Sequence, residues 1–162
     1  MNGITRTLTI VSIVFVGVMA GLFFAFSVAI MRSLEKLPPA QGMAAMQLIN
    51  VRIVNPVFLL FFLGSAVACV ALTVVSFIGD APGRWWRVAG AVVFLVGAIV
   101  VTIVVNIPLN DSLAAVDAGS AQADDAWRKY LTDWVRANHV RTVTSILATA
   151  LLAIGLPPGS SN

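Results

Sequence analysis

The chain has 162 residues, 59% of them hydrophobic and only 10% charged, with a mean hydropathy of +0.96. A soluble domain carries about 25% charged residues, so the composition excludes an ordinary soluble fold and fits a single integral membrane domain spanning 1–162. The net charge of +3 does not point to nucleic acid, because the basic residues are scattered at the ends of apolar stretches, where membrane proteins keep them.

Four apolar stretches are predicted to cross a bilayer, at about 8–31, 55–78, 88–106 and 138–156, since about twenty apolar residues span the roughly 30 Å hydrocarbon core. The first is bracketed by Arg6 and Arg32 and carries Gly17, Gly21 and Ala25 at spacings of four, a small-residue face that favours close helix approach. Pro38 and Pro39 break the chain and can start a new helix. From 40 to about 54, Met43, Met46, Gln47 and Asn50 fall at i, i+3, i+4 and i+7 on one helical face. That segment is too short and too polar to span, and reads as an interfacial or re-entrant helix capping the bundle.

Asn55-Pro56 is an N-cap followed by proline at the first helical position, and opens the second span. The second span contains Cys69, the only cysteine, which reads as a small buried hydrophobe. Gly79 to Gly83 forms a tight turn, and Arg84, Trp85, Trp86 and Arg87 read as an interfacial anchor. Gly90 and Gly97 give the third span its own small-residue face. That span is expected to end in Asn106-Ile107-Pro108-Leu109-Asn110, where the proline removes a donor and pushes Ile107 toward extended backbone. After a polar connection, helical periodicity resumes near Asp124. Trp127, Tyr130, Leu131, Trp134, Asn138 and Arg141 then fall within roughly 100° of one another. The fourth span extends this amphipathic stretch and is closed by Pro157-Pro158-Gly159. The fold class is all-α: a four-transmembrane-helix bundle with amphipathic interfacial helices in the first and third connections. The count of basic residues favours the two long connections facing the cytoplasm, and the expected location is the plasma membrane of a bacterium.

The polar chemistry sits at the seams between spans. Amides are costly in hydrocarbon unless they find partners. Asn55 and Asn106 fit helix caps, but Gln47, Asn50, Asn110, Asn138 and Arg141 are expected to converge on one polar site at one membrane face. Arg141 can snorkel to the interface or turn inward. His139, the only histidine, is a candidate base or a headgroup-level residue. One histidine and one cysteine make a poor soft-ligand metal site, and haem would need His139 as its axial ligand.

Four motifs carry a resemblance. Gly21-Leu-Phe-Phe-Ala-Phe-Ser27 with Met31; Met43-Ala-Ala-Met-Gln-Leu-Ile-Asn50 with Asn55-Pro56 and Phe58; Asn106-Ile-Pro-Leu-Asn110; and Trp134-Val-Arg-Ala-Asn-His-Val-Arg-Thr142 together resemble the anthrone oxygenase-like family of small four-helix membrane proteins. The departure is Arg32, where many relatives carry proline, which leaves the end of the first span open. The resemblance implies an oxygenase that oxidises a lipophilic anthrone-like phenol. A base would remove a proton and the resulting carbanion would react with dioxygen, without metal or flavin, because the chain lacks a convincing ligand set and a nucleotide-binding motif. His139 or Asp111 would be the base, and Asn50, Asn110, Asn138 and Arg141 would hold the enolate oxygen. Gln47 would join the substrate-binding set, and Trp134, Phe24 and Met46 would form walls. No metal or other cofactor is expected. The expected partners are the bilayer and a lipophilic aromatic molecule, or, in a non-catalytic reading, another membrane protein; a small lipophile carrier is the weaker alternative. Single cysteines at positions 92–99 are expected to resist water-soluble thiol reagents that label Ser120→Cys freely; equal labelling would refute the four-span topology.

Overall fold

Two prolines set the first helix boundary. The computed structural model describes residues 2–78 and 82–156. In it α1 (Gly3–Glu35) unwinds through Lys36 and Leu37, and Pro38 turns extended so that Pro39 can begin α2 (Pro39–Ile53). Asn55 then serves two helices. Its Nδ2 donates to the carbonyls of Arg52 (3.1 Å) and Ile53 (3.2 Å), closing α2. Its Oδ1 accepts from the backbone N–H of Val57 and Phe58, both at 3.1 Å, opening α3 (Pro56–Ile78). The chain continues through α4 (Arg84–Ala114) and α5 (Ala123–Ile154). Of the tight turn, 79–81 lies outside the described residues, as does Pro157-Pro158-Gly159.

The architecture is all-α, and α1, α3, α4 and α5 are each long and apolar enough to cross a membrane. They form a ring in which α1 and α4 each pack against both α3 and α5, while α2 folds over one end onto α1, α5 and the close of α4. Val57, Val67, Ile78 and Val143 are exposed on the outer faces. In a soluble protein such a continuous apolar surface would be an aggregation hazard; in a bilayer it is the lipid-facing wall. Lipid gives helices no hydrophobic reason to associate, so close packing and buried hydrogen bonds hold the ring together.

Small residues supply the packing, but not all that the spacing suggests. Gly97 faces α5, and a Cβ there would collide with the Thr144 side chain. Gly21 faces outward, with nothing within 4 Å of its missing Cβ, so the Gly17-Gly21-Ala25 stripe is not a continuous packing seam, although Gly17 meets Thr149 of α5.

Two further expectations are corrected. Arg87 is not an interfacial anchor: it is fully buried, and it donates to Ser76 Oγ (3.2 Å) and to the carbonyls of Pro82 (2.6 Å) and Gly155 (2.8 Å). It thereby closes the C-terminus of α5 over the left-handed Gly83 (φ 79°), where a cation suits the helix dipole. Trp85 and Trp86 remain exposed, with the Arg84 guanidinium 5.4 Å from the Trp85 ring. Nor does α4 end at Asn106. A π-helical turn over Thr102–Asn106 passes directly into helix Ile107–Ala114, with Ile107 helical (φ −63°, ψ −52°) and its N–H bonded to the Thr102 carbonyl. The wider π register absorbs the proline, as membrane helices allow.

Gly97→Ala is expected to lower stability in detergent by about 1–3 kcal/mol through overpacking against Thr144, while Gly21→Ala leaves it unchanged; thermal melts of the two variants compare them directly.

Candidate functional site

Two apolar clusters fill the ring. One comprises Val16, Met19, Phe23, Phe62, Cys69, Leu72, Ala91, Phe94, Ala98, Ala148 and Leu152. The other gathers Phe26, Met31, Leu34, Met43, Met46, Leu113, Ala123, Trp127, Tyr130 and Trp134 under α2. Between them lies a polar layer of Ser27, Thr102, Asn106, Asn138, Arg141 and Thr142, all buried. A cavity of about 240 Å³ opens onto this layer. Its walls include Phe23, Phe26, Phe58, Phe62, Met46 and Trp134, and its polar lining is Asn50, Thr102, Asn106, Asn110 and Arg141.

Asn138 organises the layer. Its Nδ2 donates to the Phe23 carbonyl and to Ser27 Oγ, each at 2.8 Å. A carbonyl can only accept, so this fixes the orientation of the amide. Its Oδ1 is then turned to Arg141 Nη2, at 2.7 Å. Arg141 Nη1 donates to Thr102 Oγ1 (3.1 Å), whose own proton goes to the Ala98 carbonyl (2.7 Å). The guanidinium carbon lies 4.4 Å from the Phe23 ring centroid and 5.1 Å from that of Trp134. Arg141 is 6% exposed, its Nε has no partner, and among the described residues no carboxylate pairs with it.

Beside it, Asn106 is 1% exposed, with neither Oδ1 nor Nδ2 bonded. Leaving one buried polar atom unsatisfied costs about 1–3 kcal/mol. One turn on, Asn110 Oδ1 accepts from Tyr130 Oη (2.8 Å) and Trp134 Nε1 (2.9 Å), which leaves its amide nitrogen for the cavity. Asn50 Nδ2 reaches Tyr130 Oη at 3.4 Å. The rings of Trp127, Tyr130 and Trp134 stack in series at 5.8 and 5.9 Å, and Phe26 tilts against Trp134 at 5.6 Å. The result is an aromatic slot with a cation and unused amides at its polar end, suited to a flat molecule carrying an anionic oxygen.

Of the residues expected at the site, Asn50, Asn110, Trp134, Met46 and Arg141 line the cavity. Asn138 stands behind Arg141 with its amide fully spent. Gln47 is directed elsewhere: its Nε2 donates to the carbonyls of Leu113 (2.8 Å) and Val116 (2.9 Å), tying α2 to the end of α4. Phe24 is 50% exposed on the outer face of α1, and its neighbours Phe23 and Phe26 supply the wall. Asp111 is exposed and outside the cavity lining, because α4 continues as a helix and carries it past the site. His139 lies on another face of α5 from Arg141, its Nδ1 3.0 Å from Ser27 Oγ, in a separate recess with Arg32 and Glu35. His139, Asp111 and Arg141 therefore do not share one pocket.

The sequence reading assigned no site role to Thr102 or Phe23, and treated Asn106 as a cap. A signal existed: Thr102, Asn106 and Asn110 recur at intervals of four, the spacing of one helical face. Expecting a break at Pro108 hid it. Among the described residues no three of His, Cys, Asp and Glu gather where a metal could bind.

A model of the family described as anthrone oxygenase matches residues 57–151. No curated protein and no solved structure matches the chain. The match covers more than half of the chain, and the chain belongs to this family.

Because Asn106 bonds to nothing, Asn106→Leu is expected to leave stability unchanged or raise it. Asn138→Leu removes the three hydrogen bonds to the Phe23 carbonyl, Ser27 and Arg141, and at about 1 kcal/mol each is expected to cost about 3 kcal/mol. Melting curves of the two variants in one detergent decide this.

Proposed function

We propose that this member of the anthrone oxygenase family oxygenates a lipophilic hydroxylated aromatic compound, holding its enolate or phenolate oxygen against Arg141. The observation that carries the reading is the uncompensated guanidinium of Arg141 beside the unbonded amide of Asn106 in an aromatic cavity. A buried charge with no counter-charge is expensive, and a ligand anion removes that expense.

In an anthrone, a methylene lies between two rings opposite a carbonyl. Hydrogen bonds from Arg141 and the amides of Asn106 and Asn110 to the developing enolate oxygen make the methylene more acidic. Among the described residues the cavity lining offers neither carboxylate nor imidazole, so the first proton passes to interfacial water at the exposed Val54 end of the cavity, where α2 meets α3. The carbanion gives its electrons to dioxygen and a C–O bond forms, leaving a peroxide anion that takes up a proton. The hydroperoxide then loses its remaining C–H proton together with hydroxide, as water. One dioxygen is consumed, and one carbonyl and one water are formed. The substrate supplies all the electrons, so the scheme calls for no resident metal or flavin. Phe23, Phe26 and Trp134 would hold the ring plane, and dryness would strengthen each polar contact. The setting we propose is the plasma membrane of a bacterium.

The test is oxygen uptake with an anthrone in detergent. The wild type is expected to consume one dioxygen per anthrone without releasing hydrogen peroxide. Arg141→Met is expected to lower kcat by about 100- to 1000-fold, the scale for losing an oxyanion donor, and His139→Gln to retain activity. Uptake no faster than without protein would remove the oxygenase reading.

A further inference from the structure

The route into this cavity is a separate question from its chemistry. Both ends of the ring are closed. Toward the Arg87 end stands the first apolar cluster, where Cys69, Leu72, Ala91, Phe94 and Leu152 are completely buried. Toward the other end α2 lies across the bundle. Met43 and Met46 are buried in the second cluster, and Gln47 is bonded to the last carbonyls of α4. The side differs. Helix α3 packs along α4 from Arg84 to Val100 and draws away from it over the π-helical turn Thr102–Asn106. The cavity lining reaches the outer surface there, at Val54, Leu63 and Ile107, which are 61%, 54% and 43% exposed. These rim residues are all apolar, whereas Thr102, Asn106 and Arg141 are buried at the inner end and Asn50 and Asn110 are half-buried between.

We propose that the cavity exchanges its ligand directly with the bilayer, through the gap between α3 and α4 rimmed by Val54, Leu63 and Ile107. This rests on reading the cavity as the ligand site. The rim selects by charge state. A neutral weak acid dissolved among the acyl chains crosses it at little cost, whereas a permanent ion must shed its water in hydrocarbon. Inside, Arg141 inverts the preference and retains the ionised form, the proton passing to interfacial water at the exposed Val54 end of the rim. The ligand class is therefore a lipophilic weak acid that is uncharged in transit and anionic when bound.

The protein reconstituted in phosphatidylcholine vesicles tests this with 2-naphthol, whose ionised form has its own absorption band, and with 6-hydroxynaphthalene-2-sulfonate, the same ring system with a fixed charge. The wild type is expected to develop the naphtholate band at a rate that follows naphthol per lipid, and to take up no sulfonate. Leu63→Trp and Ile107→Trp put bulk in the rim on outward-facing positions, and are expected to slow uptake about tenfold; Val74→Trp, exposed elsewhere on α3, is expected to behave as wild type. Uptake of the sulfonate as readily as naphthol, unchanged rates in both rim variants, or no naphthol binding by the wild type would each overturn the proposal. The readout needs no turnover, so it stands apart from the oxygen-uptake test. An Arg141→Met protein that still forms the naphtholate band would overturn the anion-retaining step that this inference shares with the proposed function.

Discussion

One side-chain amide holds the centre of this bundle. Asn138 spends both hydrogens on α1, at the Phe23 carbonyl and Ser27, and its oxygen on Arg141. A single residue thus ties α5 to α1 and aims a cation at α4. In hydrocarbon there is no water to replace any of these partners. Removing the amide would remove three hydrogen bonds at once, leaving Ser27 with Thr142 and His139, and Arg141 with Thr102. The two apolar clusters flank this layer on either side and hold it at fixed depth.

Satisfaction in the layer is uneven, and the unevenness has a direction. Asn138, Thr102 and Thr142 have partners. Within the layer, the unbonded atoms of Asn106 and Arg141 belong to residues that line the cavity, whereas the unbonded hydroxyls of Ser12, Ser120 and Ser145 lie outside it. A structure under selection for stability alone would place leucine at 106. Helix packing elsewhere, such as Gly97 against Thr144 and Arg87 over the carbonyls at the far end, offsets the cost of keeping polar atoms without partners. Strain of this kind concentrates where a ligand completes the structure.

The fold was legible in the sequence because it rests on strong signals: span length, the Pro38-Pro39 break and the Asn55-Pro56 cap. The site was legible in part. Asn50, Asn110, Trp134 and Arg141 stand out because so few polar or indole groups occur near the spans. Phe24 was chosen where Phe23 and Phe26 line the cavity, because a helix apolar on every side gives no phase from which to tell its inner face. His139 and Asp111 were chosen by chemical type; their angular position on the helix, which the structure supplies, turns both away from Arg141. Arg87 was misread because an arginine beside two tryptophans matches the interfacial pattern, and only tertiary contact shows the carbonyls it faces.

The least legible feature is also the one that shapes the cavity. Eight residues of ideal α-helix turn Asn110 about 80° from Thr102, enough to carry one of them off a narrow face. The π-helical turn over Thr102–Asn106, with its i→i+5 bonding, turns less per residue and brings Thr102, Asn106 and Asn110 onto the same cavity wall. The same turn lets the helix pass Pro108, which would otherwise strike the preceding turn. The π register also coincides with the stretch where α3 leaves α4, so one local change of helix type accommodates the proline, aligns the amides and borders the side opening. A π-helical turn over Phe26–Ile30 in α1 holds Ser27 opposite Asn138. A third, Leu95–Val100, precedes Thr102–Asn106 in α4 and packs in the apolar cluster. Two of the three thus fall in the polar layer, where irregular backbone serves the groups that face the cavity.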